Sequence, residues 1–533
     1  KDGVGGVNGI GLARGITVSP DGNHLYVSGY SEDAIVTFTR NSSTGALTFV
    51  EMKKNGFGIG WARQVTVSPD GKHVYIADYT DDAVLVLSRN SSTGALTHVE
   101  RKIDGVGGVD GLDGADSVTV SPDGSHVYAG GWEENAISVF SRNSSTGALT
   151  YVEVKKDGVG GVDGISDVEL IAVSPDGKHV YAVGRHDGAV AVFSRNLSTG
   201  ALTYVEMKKD GVGGVDGLDD ATSVTLSPDA RHLYATSWDD NAISVFSRNS
   251  TTGALTYVEI KQDGVGGVDG LTGANSVAVS SDGKHVYAAG ATDGAISVFS
   301  RNSSTGALTF VEVQKDGVNG VGLSDVRAVT LSPSGNQVFA ASRGEGEIRV
   351  YSRNSSTGAL TYAGRQPGKL DGIRGLYYTE TVVVSPDGSH VYSAGSAEKD
   401  VAVFSRNISA TVTEYTIKHL NGTEVTLPYS NPLGNGALTW NTEGNNYYRY
   451  NTVVPISDDC TSYSYTVEVS GYSVGGTTST ASNLVSNPAT YKNGPAPQSP
   501  SNVTAGGGDG TAVVSWDKPF SYSGCPTTYT ITY

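Results

Sequence analysis

The chain has 533 residues, more than a single hydrophobic core serves, and carries 55 acidic against 37 basic side chains, a net charge of −18. An acidic surface repels phosphate backbones and anionic lipid heads, which argues against nucleic acid as a partner, and no apolar run is long enough for direct membrane insertion. With 71 glycines, 17% charged residues and no stretch of helical composition, this is the make-up of an all-β protein with many turns.

The opening run Lys1-Asp2-Gly3-Val4-Gly5-Gly6-Val7 recurs inside later repeats. The sequence is therefore expected to start partway through a repeat, with a leader and further repeats lost upstream. The third copy shows the unit most plainly. Ser117–Val120 leads into the turn Ser121-Pro122-Asp123-Gly124, His126–Ala129 follows, and after a short acidic loop comes Ala136–Ser141. Arg142-Asn143-Ser144-Ser145-Thr146-Gly147 then turns into Ala148–Glu153. Each piece alternates apolar and polar residues, the period of a strand. Between them Pro, Asp and Gly each supply the backbone angle a tight turn needs. The turn recurs eight times, with its serine at 19, 68, 121, 174, 227, 280, 332 and 385. Four strands per unit at this regularity predict an eight-bladed β-propeller over residues 1–408, a closed ring that hides most strand edges.

The Val-Ser-Pro-Asp-Gly-Lys-His-Val-Tyr run at 67–75 and its copies, with the Val-Phe-Ser-Arg and Thr-Gly-Ala-Leu-Thr runs, resemble the lactonase-type propellers. That family has 6-phosphogluconolactonase-like and carboxymuconate-cyclase-like members. The resemblance implies the fold strongly and an activity only weakly. It also implies seven blades, whereas the eight turns here favour eight.

After Asn407 the repeat decays. Residues 409–492 resemble a fibronectin type III domain without its opening strands, with Thr413–Ile417 as third strand and Tyr463–Val469 near its end. Residues 493–498 read as a linker, and 499–533 as the start of such a domain, with Val513-Val514-Ser515-Trp516 carrying its core tryptophan. Two arrangements stay open: tandem sandwich domains, or one domain in which 499–533 completes 409–492 by strand addition. Only the second brings Cys460 and Cys525 into one sandwich. Both cysteines are expected to be oxidised.

Asn41, Asn90, Asn143, Asn196, Asn249, Asn302, Asn354 and Asn407 each have Ser or Thr two positions on, as do Asn421 and Asn502 outside the repeats. They are N-glycan acceptor sequences, and they predict a secreted, extracellular glycoprotein at a cell surface or appendage. Asparagine also starts turns well, so one ancestral turn copied eight times is the competing explanation. The Gly/Asp loops between blades, such as 104–113, offer carboxylates to calcium, but no EF-hand spacing is present and no other cofactor is expected; ordered connections with positive-φ glycines account for them. The histidines at 24, 73, 126, 179, 232, 285 and 390 follow the tight turn in seven repeats, with Gln337 in the seventh copy, and read as structural.

The loops between second and third strands vary instead: Tyr30, Tyr79, Trp132, Arg185 with His186, Trp238, Ala291, Arg343 and Ser396. Arg185, His186 and Arg343 form a candidate clamp for an anionic lactone, and the aromatics a rim for a partner or sugar. Near-identical blades favour repeated contacts over one pocket, so the expected function is a non-enzymatic structural or adhesion protein that self-assembles or binds protein partners, without catalytic residues. A lactonase- or cyclase-like enzyme and a carbohydrate-binding propeller are the alternatives.

Overall fold

The computed structural model describes residue 7 and residues 9–405 apart from 55–57, 319–321, 367–377 and 396–399, together with the strands within 414–532. The chain divides into two units, Lys1–Arg406 and Asn407–Tyr533. Among the described residues every regular element is a strand except one 3-10 turn, Tyr30–Glu32.

The first unit is a propeller of eight sheets in chain order, seven with four described strands and the last with three. Blade 3 is representative: Ala115–Val120, His126–Gly131, Ala136–Arg142 and Leu149–Lys156 pair antiparallel from the channel outward. The second strand of each blade is buried on both faces, which is why it reads as an unbroken run such as His-Val-Tyr-Ala rather than an alternation. The core lies between blades. Tyr75, Val84 and Val86 of blade 2 pack against Val118, Val127 and Phe140 of blade 3, and the same cluster forms at every junction. Tyr392 and Ala394 of blade 8 pack on Ile10, Ile16 and Leu25 of blade 1, which closes the ring at eight blades.

Among the described residues a polar latch is superimposed on seven of the eight apolar junctions. Arg142, ending the third strand of blade 3, reaches into blade 2, where its Nε donates to Tyr75 Oη at 2.7 Å and its Nη2 to both oxygens of Asp70 at 2.8 and 2.9 Å. Nη2 also lies 2.7 Å from His73 Nδ1. A guanidinium has no lone pair to offer, so Nδ1 accepts and the imidazole is neutral. Tyr75 Oη donates onward to Gly147 O at 2.9 Å. Gly147 has φ +81, and a Cβ there would sit 2.2 Å from the His73 ring, so the fourth-strand turn tolerates only glycine. The ring closes on the same device, with Arg40 Nε donating to Tyr392 Oη at 2.7 Å. The repeated histidines are thus junction parts, as their recurrence predicts.

Blade 7 lacks all three partners at once, with Ser334, Gln337 and Phe339 where its neighbours have Asp, His and Tyr. Arg406 holds the latch-arginine position of the eighth repeat in sequence. Restoring the set with Ser334→Asp, Gln337→His and Phe339→Tyr together is expected to stabilise the propeller by about 2 kcal/mol through charge-assisted hydrogen bonds. A urea-unfolding midpoint that does not rise would count against the latch as a source of stability.

In the second unit a six-stranded and a three-stranded sheet form. Ser501–Gly508 and Thr511–Asp517 extend the sheet of Ala437–Asn441, and Thr527–Thr532 lies between Tyr448–Asn451 and Tyr463–Val469, parallel to the latter. Strands from 499–533 therefore complete both sheets. Cys460, Cys525, Asn407, Asn421 and the linker 493–498 lie outside the described residues, and Asn502 falls in the strand Ser501–Gly508.

Candidate functional site

Two faces follow from the strand order. The tight turns and the third-to-fourth-strand loops share one face. The blade-to-blade connections and the second-to-third-strand loops share the other, where the first strands begin. Each sequon asparagine from Asn41 to Asn354 lies exposed on the first face. Its Oδ1 accepts two backbone N–H groups, as Asn143 does from Ser145 at 2.9 Å and Thr146 at 3.0 Å, so turn capping alone accounts for the repetition.

On the other face the innermost strands line the channel, and their second position diverges in charge from blade to blade. Around the ring it is Arg14, Arg63, Asp116, Glu169, Thr222, Asn275, Arg327 and Glu380. These side chains meet. Arg63 Nη1 pairs with Asp116 Oδ1 at 3.0 Å, the two side chains being only 21% and 19% exposed. Arg14 Nε lies 3.6 Å from Glu380 Oε2 across the closure of the ring. Arg63 Nε is buried and has no acceptor among the described residues. Burial pushes the Asp116 carboxyl up against the opposing pull of Arg63 and Arg14. Burial also raises Glu169, and the Asp116 charge raises it further, while Arg185, Arg14 and Arg63 work the other way. Glu169 on the innermost strand of blade 4 thus feels the charges of arginines on the innermost strands of blades 1 and 2. Two carboxyls raised by burial near arginines make this a candidate site for acid–base chemistry.

The variable rim surrounds this cluster in separate groups. Tyr30, Tyr79 and Trp132 come together with Trp61: centroids are 4.8 Å apart for Tyr30–Trp61, 6.1 Å for Trp61–Tyr79 and 6.4 Å for Tyr79–Trp132. The clamp expected from Arg185, His186 and Arg343 is not assembled. Arg185 binds Asp220 through Nη2 at 3.1 Å, Arg343 lies 3.4 Å from Asp325 and 3.6 Å from Glu380, and His186 is exposed beside Asp187. Trp238 lies under the Arg327 guanidinium at 5.0 Å, beside a cavity of about 340 Å³ lined also by Asp293 and Asp325. Ser396 lies outside the described residues. The Gly/Asp loops do gather carboxylates, since Asp104 and Asp110 meet Glu134 from the next loop. Lys156 Nζ, 2.8 Å from Asp110, sits in that group. Sequence reading missed the ring of Arg14, Arg63, Asp116 and Glu169. Its signal was a single strand column that changes charge from copy to copy while the positions on either side stay uncharged.

The family model described as "Lactonase, 7-bladed beta-propeller" matches residues 6–111, 104–215, 170–321, 224–370 and 316–426, most of the chain. The chain belongs to this lactonase family. It does so with eight blades rather than the seven of the family's description. Among solved structures, Sqt1 of Saccharomyces cerevisiae has a TM-score of 0.56 at 13% identity, covering 74% of this chain and 96% of that one. Sqt1 of Chaetomium thermophilum, bound to the N-terminus of ribosomal protein L10, has 0.56 at 15%, covering 74% and 97%. Both likenesses show the propeller fold. The periplasmic gluconolactonase of Pseudomonas aeruginosa has 0.48 at 18%, covering 62% and 91%. Family membership overturns the expectation of a non-enzymatic structural or adhesion protein. Uniform blades suggested equivalent contacts, but the uniformity belongs to the latches and cores, while the channel column is different in almost every blade.

Proposed function

We propose that the chain is a lactonase-type enzyme that opens a cyclic ester bearing a negative charge at the channel mouth. The observation that carries this is the Arg14–Arg63–Asp116–Glu169 cluster in a chain of the lactonase family. Asp116, whose negative charge Arg63 favours against the effect of burial, takes a proton from water as the water oxygen bonds to the lactone carbonyl carbon. The resulting oxyanion sits against the partly exposed Arg14 guanidinium, which strengthens that contact as the charge develops. Collapse breaks the ring C–O bond, Glu169, whose carboxyl burial raises, gives a proton to the departing alkoxide, and an open hydroxy acid leaves; proton exchange with solvent then returns both carboxyls to their starting states. The net acidity of the chain, −18, disfavours anions in general, so the two arginines supply local selectivity.

The test is hydrolysis by purified protein across a panel of five- and six-membered lactones, neutral and anionic, followed by base uptake at constant pH. Turnover is expected for an anionic member and not for its neutral counterpart; no turnover across the panel sinks the reading. We further propose that any N-glycans at Asn41 through Asn354 lie on the face opposite the catalytic mouth. Enzymatic deglycosylation should then leave turnover unchanged, and a loss of turnover would contradict this placement.

A further inference from the structure

Arg63 has one ionic partner, yet its position is fixed from two further sides. Its Cζ lies 4.4 Å from the centroid of the Tyr79 ring and 5.3 Å from that of Tyr30. Trp61, two residues earlier in the chain, bridges the same two tyrosines from their outer side and is itself 42% exposed. Tyr79 is anchored in turn by its hydroxyl, which donates to Glu133 Oε1 at 2.7 Å, and by its backbone N–H, which donates to Trp61 O at 3.2 Å. Tyr30 also carries the Arg14 guanidinium, 5.5 Å from its centroid. Two like charges therefore share one aromatic ring, whose negative face attracts both. A long arginine side chain without such walls adopts many rotamers, and each rotamer that leaves Asp116 removes a charge that opposes the effect of burial on this carboxyl.

We propose that Tyr30 and Tyr79, braced by Trp61, are positioning residues that hold Arg63 against Asp116. This rests on the lactonase reading for its consequence in turnover, but not for its consequence in charge. The groups facing Asp116 are Arg63, Arg14 and Glu169, with Tyr79 beside Arg63; Glu380 engages Arg14 and Glu133 engages Tyr79. Among these only Arg63 and Arg14 lower the Asp116 carboxyl, and both lie on Tyr30.

The experiment is a carbon-13 carboxyl titration of the whole protein labelled at aspartate, with Asp116 assigned by the Asp116→Asn variant. In a Tyr30→Leu/Tyr79→Leu double variant Asp116 is expected to titrate about one pH unit higher than in the native protein, because the opposite charge is no longer held in place. A Tyr30→Phe/Tyr79→Phe variant keeps the ring faces and should titrate as the native protein does, which also controls for a double variant that fails to fold. An unchanged Asp116 titration in the folded Leu variant overturns the proposal, as does a Phe variant that shifts as far as the Leu variant. If the native protein opens lactones, the acid limb of kcat/KM moves upward with the titration. If it opens none, a shifted titration still upholds the positioning and only the lactonase reading falls.

Discussion

Asp116→Asn is expected to lower kcat/KM for lactone opening by about a hundred- to ten-thousand-fold, the range that loss of a positioned general base produces. The amide keeps the size of the carboxylate and still accepts from Arg63, so the melting temperature should change little. Loss in kcat with KM held marks a group acting in the transition state, whereas loss in KM alone would reassign Asp116 to ground-state binding. Glu169→Gln should also lower kcat, most for lactones whose departing alkoxide is strongly basic and least for those that leave unaided. The comparison variant is Arg185→Gln with Arg343→Gln. These arginines are tied to Asp220 and to Asp325 and Glu380 rather than to Asp116. Their replacement is expected to change turnover far less. If that pair abolishes turnover while Asp116→Asn does not, the rim and not the channel column is the site.

What the sequence disclosed and withheld follows one physical distinction. Features that recur, the Ser-Pro-Asp-Gly turns, the His-Val-Tyr strands and the Thr-Gly-Ala-Leu-Thr hairpins, serve contacts between identical neighbours, so periodicity exposed them and the blade count together. The junction role of the histidines was legible for the same reason. Its partners were not: Arg142 meets Tyr75 across 67 residues, and only the ring brings the end of one third strand onto the second strand of the blade before it. The channel column was hidden differently. Arg63 and Asp116 stand in separate copies, each flanked by ordinary strand residues, and the eye drawn to loops passes over a strand position. Tyr30, Tyr79 and Trp132 were picked out because they sit in variable loops, yet Trp61, which joins Tyr30 to Tyr79, lies in a blade connection and was missed.

The latches also predict how the fold responds to acid. Each of the histidines at 24, 73, 126, 179, 232, 285 and 390 is lowered in the native state, first by burial and then by the adjoining arginine; His73 is brought to about 4. In the unfolded chain these side chains titrate near the ordinary value of 6.5. As pH falls below that value the unfolded chain takes up protons that the native latch refuses. The native state therefore loses stability from about pH 6.5 downward, by up to about 1.4 kcal/mol per pH unit for each histidine. Net stability of a folded domain is about 5–15 kcal/mol, so seven such groups acting in the same direction weaken the fold well before its carboxylates protonate. The aspartates act later. Asp70, Asp123, Asp229 and Asp282 are lowered to about 2; burial opposes this, and the bonds from serine and arginine outweigh it. Their contribution is present above about pH 3.9 and lost only as pH falls toward 2. Unfolding at 25 °C is accordingly expected with a midpoint between pH 4 and 6, ahead of carboxylate protonation. Circular dichroism across that range, with melting temperatures at each pH, measures it. Replacing a single latch histidine by glutamine, as blade 7 already does at Gln337, should make the acid decline less steep even where it lowers stability at neutral pH. A melting temperature that stays level from pH 7 to 4.5 would show that the native histidines take up protons as readily as the unfolded ones, and that the guanidinium beside each does not hold it neutral.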